Sequence, residues 1–151
     1  MKIFKLTGKE EITEAHRKKY YSKSARQKVY EHIFRKADRI LSLGGNAAID
    51  ATFANKKNRD KAKKLAKKHC ADFIIIYTTC RQDTSKLRIE KRKTEKSNVS
   101  RADFKNAYFK LKDEFSAPKK DSSLITIDTE KTAYENILLL KERLHTLAGI
   151  K

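Results

Sequence analysis

Gly44-Gly45-Asn46-Ala47-Ala48-Ile49-Asp50-Ala51-Thr52-Phe53 is a turn, a short apolar stretch and a carboxylate where that stretch stops. Its reading decides the fold. If residues 46–50 are a short buried strand, Asp50 stands at its carboxyl end, where open α/β sheets bind ligands. Asp50 would then face a site, with Thr52 beside it. As alternatives, Asp50 could cap a helix or serve as a turn carboxylate.

The flanking segments fit such a sheet. From Ser22 to about Leu43 the apolar residues Ala25, Val29, Ile33, Ala37, Ile40 and Leu41 recur at helical spacing, with Tyr30 and Phe34 beside them. Ser22 or Ser24 can cap the start of this helix, and Gly44-Gly45 ends it. Asn58 is expected to open a basic helix to about His69, with Ala62, Leu65 and Ala66 inward. Its lysines, Lys61, Lys63, Lys64, Lys67 and Lys68, form a solvated face or an anion-binding one. Ala71-Asp72-Phe73-Ile74-Ile75-Ile76-Tyr77-Thr78 reads as a parallel strand over 73–78, buried on both faces.

Asp83 can cap a helix over about 84–95, which carries Arg88 and Arg92 one turn apart on one side. Ser100-Arg101-Ala102-Asp103 has a capping-box pattern and starts another helix. Pro118 and the polar residues to Ser123 form a loop, and Leu124-Ile125-Thr126-Ile127-Asp128 is a third strand. Thr132-Ala133-Tyr134-Glu135 opens a final helix to about Gly149. Strands separated by helices imply right-handed crossovers and a parallel sheet. The expected fold is α/β, one domain over 1–151, with about three parallel strands flanked by helices.

Composition bounds the function. The chain has 151 residues, 38% hydrophobic and 37% charged, with a formal net charge of +18. No apolar run reaches the roughly 18 residues of a membrane span, and the start carries no signal-peptide core, so a cytoplasmic protein without membrane contact is expected. Cys70 and Cys80 are not spaced as CxxC, and His16, His32, His69 and His145 are scattered, which gives no protein-built metal site. The positive field suits polyanions: a nucleotide, a phosphorylated small molecule or nucleic acid. Lysine outnumbers arginine 27 to 10, whereas base reading and bidentate phosphate clamps favour arginine. The basic-aromatic cluster His16-Arg17-Lys18-Lys19-Tyr20-Tyr21 could hold a phosphorylated ligand or stack bases, or form a solvated turn.

The order and spacing of several features over about 125 residues resemble a known family. These are Tyr20-Tyr21-Ser22 leading into a helix with Val29-Tyr30, then Asp50-Ala51-Thr52-Phe53, and Arg59 six residues after Phe53. Leu65-Ala66, the 72–78 strand, Arg88-x-x-x-Arg92, Ser100-x-Ala102-Asp103-Phe104 with Tyr108, Glu114-Phe115, Pro118 and Asp128-Thr129 follow. The chain resembles the small P-loop (AAA-type ATP-binding) kinases of the gluconate-kinase and polynucleotide-kinase-like group. The resemblance implies Mg-ATP as cofactor and Asp50 ordering a magnesium-bound water, without a direct protein–metal bond. It implies nucleotide-phosphate contacts from Thr52, Arg59, Arg88 and Arg92, with Arg88 and Arg92 on lid-like helices spanning 84–115. For Arg59, packing or ion pairing is the alternative role.

The residues depart from the family in the phosphate loop, in the strand that should follow it with an acidic residue at its end, and in the small residues Asn46, Ala47 and Ala48 where larger aliphatics are expected. GxxxxGK[ST], whose amides and lysine hold the phosphates, is absent from the sequence. The chain thus reads as a P-loop kinase fold lacking its N-terminal phosphate-loop segment: truncated, split, or put to other use. Mg-ATP would be held only if that segment came from elsewhere, such as a partner chain, and open strand edges would favour self-association. The competing reading is a non-catalytic basic module that binds RNA or another polyanion through residues 56–68 and 16–21.

Overall fold

The computed structural model describes residues 22–94 and 113–147, with side chains given to residue 91 in the first stretch. The 16–21 cluster and all but the last residues, 113–115, of the helix expected over about 101–115 lie outside the described residues. The chain divides into two compact units, Met1–Asp72 and Phe73–Lys151.

In the first unit, helix α1 spans Lys23–Ser42. Ser22 caps it by accepting the Ala25 N–H through its hydroxyl at 3.1 Å. At the other end Gly44 adopts φ +75°. The Gly44 N–H reaches Leu41 O and the Gly45 N–H reaches Ile40 O, both at 3.0 Å. This paired bonding satisfies two carbonyls that the helix leaves open, and it needs a left-handed residue at Gly44. The sequence placed both ends of this helix.

Helix α2 spans Lys56–Lys68, opening before Asn58 because Asn55 is the cap. The Asn55 side chain accepts the Asn58 N–H at 3.0 Å. The helix ends as α1 does, with Cys70 N–H to Lys67 O at 3.2 Å and Ala71 N–H to Ala66 O at 3.0 Å. Here, however, Cys70 holds the left-handed position, at φ 52°. The interior between α1 and α2 is built from small residues, Ala25, Ala37, Ala54 and Ala66, with Asn58 and Arg59 also buried. Asp38 of α1 ties α2 down by accepting from Lys68 Nζ at 2.8 Å and pairing with His69 Nε2 at 2.6 Å. These two contacts, His69 first, hold the Asp38 carboxyl below its ordinary pKa.

In the second unit, strand β1, Ile75–Thr79, pairs in parallel with β2, Leu124–Asp128, with Ile75 opposite Leu124 and Thr79 opposite Asp128. Helix α3, Gln82–Thr94, follows β1, and helix α4, Ala133–Leu147, follows β2 and packs against it. Ile125 and Ile127 are buried, whereas Ile76, on the same face by register, is 49% exposed. The Thr132 hydroxyl accepts the Glu135 N–H while the Glu135 carboxylate accepts the Thr132 N–H, which is the capping box expected from the sequence.

The α/β class, the parallel pairing and the flanking helices hold. The strand count does not: residues 46–50 form no strand, and the sheet among the described residues has two strands, not three. Asn46, Ala47 and Ala48 offer little apolar surface, and Asn46, Ala48 and Asp50 are exposed. A strand without a neighbour to complete its ladder gains nothing from an extended backbone. Strand β1 also starts later than expected, at Ile75.

The two helix ends form a natural pair for testing. Gly44 has nothing within 4 Å of a would-be Cβ, so Gly44→Ala costs only its conformational penalty. We expect a loss of about 1 kcal/mol there, and a gain of about 0.5–1 kcal/mol for Cys70→Gly, which relieves the same strain. Urea denaturation of both variants measures each shift, and equal signs would contradict this account.

Candidate functional site

The segment after Asp50 is fixed from two sides. The Tyr30 hydroxyl oxygen accepts the Phe53 N–H at 2.9 Å and lies 3.4 Å from Thr52 Oγ1. Arg59, buried on the first turns of α2, donates from Nη1 to Phe53 O at 2.6 Å and to Ala54 O at 3.4 Å. Phe53 takes φ 41°, a strained value for a bulky residue. Its ring packs edge-on to Tyr30 at 5.4 Å and lies 6.4 Å from Phe34. The structure thus brings Thr52 and Arg59 together around Phe53. Asp50 is exposed, three residues before Phe53.

In the second unit polar residues gather at the carboxyl ends of β1 and β2, where parallel sheets place ligands. Thr129 extends the pairing by one residue: its N–H and its hydroxyl both donate to Thr79 O, at 2.8 and 3.0 Å. The Thr79 hydroxyl donates to Ile127 O at 3.2 Å. Arg88, on α3, reaches Thr129 twice, from Nη1 to Oγ1 at 2.8 Å and from Nη2 to the carbonyl at 2.6 Å. Arg81 Nε lies 3.0 and 3.1 Å from the two oxygens of Glu130, which also accepts from the Thr84 hydroxyl. Asp128 accepts the Glu130 N–H through its carboxylate at 3.0 Å, and its backbone carbonyl accepts from the Asn136 amide at 3.0 Å. The Asn136 amide oxygen is buried without a partner.

These contacts give the site its charge. The Thr84 hydroxyl first, and then the Arg81 guanidinium, hold the Glu130 carboxyl below its ordinary 4.5. Glu130 thereby neutralises Arg81 and leaves Arg88 as the cation whose bonds are all to neutral oxygens. A guanidinium has five N–H donors. Thr129 takes two of them and Arg88 is exposed, so three remain for an anion. Among the described residues no three His, Cys, Asp or Glu side chains form a group that could hold a metal ion.

Of the residues singled out from the sequence, Asp50, Thr52 and Arg59 lie in the first unit and Arg88 and Arg92 in the second. Arg92 is placed on α3 one turn beyond Arg88, and its side chain lies outside the described residues. Sequence reasoning missed Arg81, Thr84 and Glu130, and the role of Tyr30. Position could have signalled the first three: Arg81 and Thr84 follow directly on one parallel strand, and Glu130 follows the other. The sequence marks Tyr30 only within the helix that carries the Val29-Tyr30 feature, and nothing local shows its contact with Phe53, 23 residues away.

Two outcomes follow from this geometry. Folding lowers the Glu130 pKa, so its contribution to stability is complete above about pH 4.5 and is lost as pH falls through the lowered value. Glu130→Gln is expected to give a shallower acid limb in stability-versus-pH curves; an unchanged limb would sink the assignment. Arg59→Ala leaves the carbonyls of Phe53 and Ala54 without a charged donor and is expected to cost about 1.5–3 kcal/mol in urea denaturation. Arg59→Lys should recover only part of it, because lysine lacks the rigid fork.

Residues 3–113, nearly three quarters of the chain, match the AAA domain family. No curated protein and no solved structure matches the chain. The match takes in the whole first unit from residue 3, together with β1 and α3, and it agrees with the parallel α/β architecture and with polar residues placed at the strand ends. The chain belongs to the AAA domain family, whose members are P-loop NTPase-like kinase domains.

Proposed function

We propose that this chain supplies one side of a nucleotide-phosphate site in a P-loop kinase-like phosphotransferase. The observation that supports this most directly is Arg88, fixed by two bonds to Thr129 at the carboxyl end of a parallel strand, with donors to spare. Phosphoryl transfer asks a protein mainly for positive groups held around the moving phosphate. Arg88, with Arg92 one turn on, meets that demand. The exposed Asp50 would order a water on a magnesium ion carried by the nucleotide, with Thr52 beside it. Arg59 would position residues 52–54 from behind. Mg-ATP, when bound, supplies the phosphoryl group.

The fit to Mg-ATP is partial, because GxxxxGK[ST] does not occur in these 151 residues. Backbone amides at a helix start and one lysine normally provide most of the phosphate affinity. Transfer is therefore proposed to need that segment from a partner. The outer edge of β1, where Ile76 is exposed, is where a strand from such a partner, or from a second copy, would add. The lid role of residues 84–115 belongs to the same proposal. The bonds from Arg81, Thr84 and Arg88 to residues 129 and 130 would act as its hinge.

Calorimetry of the chain with Mg-ATP tests this reading. Binding is expected to be weak, to fall with salt and to weaken further in Arg88→Ala, with no transfer of the γ-phosphate. Tight, salt-insensitive, magnesium-dependent binding that is lost in Asp50→Ala would overturn the need for a further segment. Binding unaffected by Arg88→Ala at low salt would overturn the site itself.

A further inference from the structure

Helix α2 presents seven lysines, Lys56, Lys57, Lys61, Lys63, Lys64, Lys67 and Lys68, and every one is exposed. Apart from Asp60, its buried or half-buried residues, Asn58, Arg59, Ala62, Leu65 and Ala66, lie on the other side, packed toward α1. The only acid in the helix, Asp60, is engaged by Lys56 at 2.6 Å. Lys68 is engaged by Asp38. No ion pair among the described residues takes up Lys57, Lys61 or Lys64. With Lys68 they recur at spacings of four, three and four residues, which places them in one row along the helix.

We infer that this row is a docking surface for the phosphate backbone of duplex nucleic acid, bound without regard to sequence. From Lys57 to Lys68 the row covers about 16 Å of helix axis at 1.5 Å per residue. Over that length one strand of a duplex presents about five phosphates. Three ammonium groups on flexible stems, with Lys68 shared with Asp38 at the end of the row, therefore face a comparable number of charges. The other polyanions fit less well. An interfacial membrane helix needs large apolar residues exposed beside its lysines, and the only large aliphatic residue of α2, Leu65, is half-buried. Single strands are held by stacking on aromatic rings, and α2 has none. Base reading favours arginine forks, and the one arginine of α2, Arg59, is buried against backbone carbonyls. What remains is a row of point charges suited to a regular backbone. This surface belongs to the first unit and the strand-end site to the second, and the inference does not rest on nucleotide binding there.

Fluorescence anisotropy of the full chain with a short labelled duplex of random sequence, over a salt series, tests the inference. Binding is expected for both DNA and RNA duplexes. Lys57→Gln/Lys61→Gln/Lys64→Gln should weaken it about tenfold or more and lower the slope of log affinity against log salt by about 2–3. The matching triple Lys→Arg variant should bind like the parent. Lys86→Gln/Lys119→Gln/Lys131→Gln, which removes the same charge elsewhere on the surface, should change the slope far less. All positions are exposed, and glutamine forms helix nearly as well as lysine, so circular dichroism should show an unchanged fold. The inference fails if the two Gln triples lose equal affinity, or if single strands bind as tightly as duplexes. It fails equally if duplexes do not bind, or if anionic vesicles or an acidic peptide compete them off.

Discussion

Parallel pairing of residues 75–79 with 124–128 is the constraint on which the second unit depends. Two parallel strands cannot be joined by a tight turn, so the long connection through α3 is forced by the direction of pairing. The pair is small and its outer residues stay partly wet, as Ile76 shows. Its stability rests on the burial of Ile125 and Ile127 and on what happens where the ladder stops. There Thr129 donates twice to Thr79 O, and Arg88 donates twice to Thr129. The residues that finish the sheet are also the ones that place a guanidinium at the ligand-binding end. Structure and chemistry share the same bonds, so a change at Thr129 would disturb both.

The first unit solves a different problem. Its helices meet through alanines, which bring the backbones close but bury little apolar area each. Specific polar contacts do the rest. Asp38 joins α1 to Lys68 and His69 at the end of α2, and Arg59 and Tyr30 hold the segment at Phe53 from opposite sides. A buried arginine is costly unless its donors are met, and the carbonyls of Phe53 and Ala54 accept from its Nη1. Arg59 could be picked out from the sequence as a residue of interest. Its placement under the 52–54 segment fits the alternative of packing raised for it there.

The charge of the chain has two uses in this account. At the strand ends Glu130 offsets Arg81, so that the remaining positive group is local and directed. On α2 only Lys68 of the row is offset, by Asp38, and the field of Lys57, Lys61 and Lys64 is broad and unpatterned. A directed cation suits a phosphate held in one geometry. A broad row suits a polymer whose register does not matter.

Local chemistry wrote the elements whose ends are marked by local bonds. Ser22, Gly44-Gly45 and the Thr132–Glu135 box fix helix ends through partners three to five residues away, and the Leu-Ile-Thr-Ile run of β2 carries its own apolar signal. The sequence by itself thus determined the α/β class, the helices among the described residues, the parallel direction of the sheet and the P-loop kinase-like superfamily. It misplaced the start of α2, because Asn55 and Asn58 are equally good caps and only the fold chooses between them. It also took 46–50 for a strand, because strand formation depends on a neighbour that the segment cannot specify. Tertiary structure alone decided that Arg88 meets Thr129 41 residues away, that Arg81 and Thr84 meet Glu130, and that Tyr30 meets Phe53. Contacts of that kind follow from which backbone ends the packing brings together, and no residue carries that information on its own.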